Sequence, residues 1–90
     1  MNPSNTMLMH VADIRKLANR FDAQTISHCL ALAINQLDNP CFSDDETEVV
    51  VNVLAKTEFV KMLMQKGLSL GDAMRELGSR MRALQVRHVD

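Results

Sequence analysis

Ninety residues make one domain, and a chain of this length buries roughly 60–70% of the surface its unfolded form exposes. An apolar fraction of 47% excludes disorder through low hydrophobicity, and a formal net charge of −1 argues against a dedicated nucleic-acid binder. With three Phe and neither Tyr nor Trp, the core has to come from aliphatic side chains and seven Met.

Residues 1–5 read as a loose end. A first helix is predicted from Thr6 to Arg20, where Met7, Val11, Ile14, Ala18 and Phe21 recur at helical spacing and Leu8 and Leu17 widen the stripe. Asp22 can cap a second helix. Its stripe, Ile26, Cys29, Leu30, Ala33, Ile34 and Leu37, follows the i, i+3, i+4, i+7, i+8, i+11 series without a gap. Asp38-Asn39-Pro40 ends it, because proline cannot continue a helix and pushes Asn39 out of the helical region. Ser43-Asp44-Asp45-Glu46 then reads as a capping box, which places carboxylates at the positive end of a third helix.

That third helix, Thr47–Gln65, has two apolar faces. Val49, Val50, Val53, Leu54, Val60 and Met64 form one. Val51, Ala55, Phe59 and Met62 form another on roughly the opposite side. A helix that is apolar on both sides must be covered twice. This predicts a central helix with a second copy of the chain over Val51, Ala55, Phe59 and Met62. The β-branched run Val49–Val53 offers a short strand as the competing reading, but the apolar pattern continues past it. Lys66-Gly67 is a stop signal. Ser69 with Asp72 starts a fourth helix, whose Leu70, Ala73, Met74, Leu77, Met81 and Leu84 share a face. Residues 86–90 read as a second loose end. The fold expected is all-α: a four-helix bundle-like domain over residues 1–90, built of two helical hairpins and dimeric.

Little in the chain points to chemistry. His28, Cys29 and Cys41 are the only soft ligands near one another, and adjacent helical residues cannot easily chelate one ion. Cys29 falls on the apolar stripe and His28 opposite it. The two cysteines read as reduced thiols. Core filling accounts for Cys29, and the acidic run after Cys41 disfavours its thiolate. His10 and His88 lie near the two ends with no partner at telling spacing, and no Gly-rich phosphate loop exists. No catalytic, cofactor-binding or metal residue is assigned, and an enzyme is not expected. No signal segment precedes the first helix, and no apolar stretch reaches the ~20 residues that span a bilayer. A cytoplasmic protein is expected.

The fourth helix carries one unusual surface. Gly71, Arg75, Gly78 and Arg82 share a narrow band beside the apolar stripe. Glycine inside a helix costs up to ~1 kcal/mol relative to Ala, so two of them ask for a reason: the band reads first as a tolerated solvated face, and otherwise as a place of close approach by a partner backbone or by an anion held by the two guanidiniums. The segment Gly67–Arg80 also resembles the first half of a bacterial helix-turn-helix. Ser69 would be the cap, Ala73 the small residue and Gly78 the turn, while Ser79 departs from the apolar residue usual there. Met62, Met64, Met74 and Met81 fall on apolar stripes and read as core filling. The leading expectation is a small interaction or adaptor module that binds itself or another protein through apolar helix faces. The alternative implied by the resemblance is a DNA-binding regulator using residues 69–87, with Arg75, Arg80, Arg82 and Arg87 on phosphates.

Overall fold

A computed structural model describes residues 10–89, with side chains through Leu84. The chain forms four helices: α1 (Val11–Arg20), α2 (Ala23–Ile34), α3 (Thr47–Gln65) and α4 (Leu70–Val89). No strand occurs among the described residues. The Thr6–Met9 part of the first predicted helix and the loose residues 1–5 lie outside them.

Helix α3 is the axis of the molecule. It packs against α1, α2 and α4, and α1 also touches α4. In place of a packed α1–α2 hairpin, each of these helices leans mainly on α3. The core is the set of faces turned toward that axis: Ile14, Leu17 and Ala18 from α1, Ile26, Cys29 and Ala33 from α2, Ala73, Met74 and Leu77 from α4. Val50, Val53, Leu54 and Val60 meet them from α3. Each Val, Leu or Ile so buried contributes roughly 1.5–3 kcal/mol. That outweighs the few tenths of a kcal/mol that a β-branched residue costs a helix, so Val49–Val53 is helical. One polar residue shares this core. Thr57 is fully buried, and its hydroxyl donates to the Val53 carbonyl at 2.8 Å.

The helix ends follow local chemistry. Asp22 accepts from the Thr25 amide at 2.7 Å and Ser69 Oγ from the Asp72 amide at 3.1 Å, so both act as N-caps. Gly67, at φ 110°, closes α3: its amide donates to Met64 O and that of Leu68 to Leu63 O, the paired bonds of a Schellman motif. On α3 the capping box does not form. Glu46 is the cap residue and offers no side-chain bond, while Asp44 Oδ1 takes the Glu46 amide one step earlier. Two N-cap substitutions should therefore separate. Ser69→Ala should cost about 0.5–2 kcal/mol, and Ser43→Ala should leave the urea midpoint unmoved. A loss at Ser43 as large as at Ser69 would contradict this assignment.

Helix α2 stops three residues before the predicted Leu37. The Gln36 and Leu37 amides donate to Ala33 O and Leu32 O, with Gln36 in the left-handed region at φ 59°. The Asn35 side chain adds a bond to Ala31 O. Leu37 thus leaves the apolar stripe. Ile34 and Leu37 are 60% and 58% exposed. At the other end of the chain, α4 continues helically through the residues expected to be loose, as far as Val89.

Candidate functional site

Helix α4 borders two cavities. The first, of about 260 Å3, lies between α1 and α4. Gly71, Arg75, Gly78 and Arg82 all line it, so the band marked in the sequence is one wall of a real groove. Two cations that the sequence pattern did not single out complete the rim: Arg15 from α1 and Lys56 from α3. They are legible only once the helices are docked. Ile14, Met74 and Leu77 belong to the floor. No carboxylate among the described residues lines the groove. One of the two glycines has a local explanation. A Cβ on Gly78 would meet Arg82 Nη1 at 3.3 Å, and one on Gly71 would meet Arg75 Nη2 at 4.0 Å. Gly78 gives Arg82, one turn on, room to lie across it, whereas at Gly71 a Cβ would make only an ordinary contact.

The charges on this rim are unequally satisfied. Arg75 pairs with Asp72 in the first turn of α4. The Arg75 guanidinium, and then the Ser69 hydroxyl, hold the Asp72 carboxyl below the usual carboxylate range. Arg15, Lys56 and Arg82 make no salt bridge among the described residues.

The second cavity, about 410 Å3, lies between α3 and α4. Ala55 and Phe59 face Met81 and Leu84 across it. The Arg80 guanidinium sits 5.7 Å from the centre of the Phe59 ring and bonds Glu76 at 2.9 Å. On the other side of Phe59, a recess of about 380 Å3 is lined by Ala55 and Met62 together with Ala23 and Ser27 of α2. There the Ser27 hydroxyl donates to Glu58 Oε2 at 2.6 Å. The four residues of the second α3 face therefore divide. Val51 and Phe59 are half-buried against the chain's own core, whereas Ala55 and Met62 are exposed.

The cysteines require a correction. Cys29 and Cys41 are not reduced thiols but a disulfide, with an S–S distance of 2.12 Å and Cα atoms 6.2 Å apart. Asn39 makes the approach possible. Its Oδ1 accepts from the Cys41 and Phe42 amides, both at 3.0 Å, and this turn folds the segment after Pro40 back toward α2. Phe42 then meets His10 edge-to-face at 5.9 Å, tying the same segment to the start of α1. Helical spacing placed Cys29 in the core correctly. It held no information on a side-chain-directed turn twelve residues away. His28 is exposed.

A cation missed by the stripes also has a structural task. Lys61 Nζ donates to Ala18 O at 2.9 Å, satisfying a carbonyl at the C-terminal end of α1. Hydrogen bonds from Thr25, with some attraction from Lys61, hold the nearby Asp22 carboxyl below the usual range. Among the described residues no three His, Cys, Asp or Glu side chains gather in a metal-holding group.

The helix-turn-helix is also corrected. Gly78 lies inside α4, which runs unbroken from Leu70 to Val89. Ala73, Met74 and Leu77 are buried before it and Met81 packs on the core after it, so continuing the helix buries more than a turn would. The Arg87 side chain lies outside the described residues. No described helix is long and apolar enough to cross a membrane. Comparisons of the chain with family models, with curated proteins and with solved structures found no match.

Proposed function

We propose that this protein is a small interaction module without catalytic activity, which pairs with a second copy of itself through the α3–α4 face. The observation that carries this reading is the apolar surface left on that face and on the adjoining α2–α3 recess that Met62 lines. Leu84 is 53% exposed and Met62 40%, and Ala55 lies open beside the half-buried Phe59. A second copy would cover these side chains and leave Lys56 and Arg80 on a polar rim. The overall charge of −1 sets little repulsion between copies. Both shifted carboxyls have structural tasks, Asp22 as the cap of α2 and Asp72 as the partner of Arg75 in the first turn of α4, so neither marks a catalytic group.

The bridge also bears on location. The cytoplasmic expectation drew on unpaired thiols, and Cys29–Cys41 removes that support, because disulfides persist mainly in oxidising compartments.

Light scattering on the eluting protein tests the proposal. A dimer mass is expected at micromolar concentration, and Ala55→Asp should return a folded monomer. A wild-type monomer across that range would refute the reading. So would a dimer that survives Ala55→Asp and Met62→Asp together.

A further inference from the structure

We propose that the α1–α4 groove binds a small amphipathic anion, an unbranched aliphatic chain ending in a single anionic head such as a carboxylate. Cations converge on this groove from three helices: Arg15 from α1, Lys56 from α3, and Arg75 and Arg82 from α4. Among the described residues no acidic side chain lines it, in a chain that carries one more acid than base overall. Like charges gathered around a concave site repel one another and attract an anion. Arg75 is already engaged by Asp72, which leaves Arg15, Lys56 and Arg82 as donors for the head group.

The floor defines the rest of the ligand. Ile14, Met74 and Leu77 are buried aliphatic side chains, and no aromatic ring among the described residues lines the groove. An aryl ligand would find nothing to stack on. A flexible alkyl chain would find the apolar, adaptable wall that methionine provides. The volume of about 260 Å3 suits a slender tail rather than a branched or polycyclic body. Gly78 contributes by its missing side chain, because Arg82 lies over it, 3.3 Å from where a Cβ would be. The groove adjoins the self-pairing face through Lys56, Leu77 and Met81, but Ala55 and Met62, whose substitutions test self-pairing, do not line it, so the two proposals fail separately.

Isothermal titration with decanoate below its micelle-forming concentration is the test, with 1-decanol as the probe of matched tail and neutral head. One decanoate per chain is expected, with 1-decanol weaker by about tenfold or more, the equivalent of one charge-assisted hydrogen bond. Arg15→Gln with Arg82→Gln should weaken decanoate about tenfold. Arg20→Gln, which lies outside the groove over Phe21, should not. Arg82→Gln alone, at an exposed position, keeps the proposal testable if the double variant folds poorly, and should weaken decanoate about threefold. Equal binding of both probes, no binding of either, or a double Arg variant with unchanged affinity would overturn the proposal. Two further arms address larger polyanions. The chain should stay in the supernatant when phosphatidylglycerol vesicles are sedimented. It should also give no tight, salt-sensitive shift of random duplex DNA. Capture in either arm would assign the cations to that polyanion instead and overturn the small-molecule reading.

Discussion

Reduction of the Cys29–Cys41 bridge should lower the free energy of unfolding by about 3 kcal/mol, the chain-entropy value for a loop of this size. The bridge spans a sequence separation of twelve residues, so the reduced, unfolded chain gains the freedom of that loop. A domain of this size has only about 5–15 kcal/mol of total stability, which makes the loss large. Urea unfolding with and without dithiothreitol measures it. Cys41→Ala should behave like the reduced protein. Cys29→Ala should lose more, because Cys29 is fully buried and its sulfur also fills the core. Coincident unfolding curves for oxidised and reduced protein would mean that the bridge does not hold the loop in solution.

The second large effect falls on two adjacent residues of α3. Leu54 is 0% exposed, at the meeting of the helices, and Leu54→Ala should cost about 2–5 kcal/mol through lost burial and the cavity left behind. Ala55 is next in the chain and exposed, so Ala55→Asp should cost the single chain no more than about 1 kcal/mol, most of it the poorer helix propensity of Asp. Chemical denaturation of both variants at low protein concentration compares them directly. If Ala55→Asp unfolded the chain as readily as Leu54→Ala, the second face of α3 would be core rather than surface.

Much of the architecture was legible because it rests on local rules. The Thr47–Gln65 helix, the caps at Asp22 and Ser69 and the stop at Gly67 each follow from a few neighbouring residues. The failures share one physical cause. A side chain or a distant helix settled the local conformation, and periodicity does not record such choices. Asn39 folded the turn that delivers Cys41 to Cys29. Gln36 accepted a left-handed backbone and ended α2 early, which put Leu37 into solvent. At Gly78 the expected single helix through Leu84 forms, since the burial of Leu77 and the packing of Met81 keep it whole, and only the turn of the helix-turn-helix alternative fails. The candidate site divides the same way. The Gly71, Arg75, Gly78 and Arg82 band lies on one helix and could be read from it. Arg15 and Lys56 join it only through the docking of α1 and α3.

The placement of α3 has a consequence for how the domain comes apart. Because α1, α2 and α4 all pack on α3, and otherwise only α1 and α4 touch appreciably, the chain is wired like a hub with spokes. Neither the first two helices nor the last two make a self-sufficient half. The contacts of α1 with α3 and α4 reach across α2 and its loop and so close the longest stretches of chain. Once α3 is lost, α2 keeps only its tie through Cys29–Cys41 to the segment after Pro40. The amides in the middle of α3 should then open to solvent only in the global event, whereas the helix ends farthest from the hub fray independently of it.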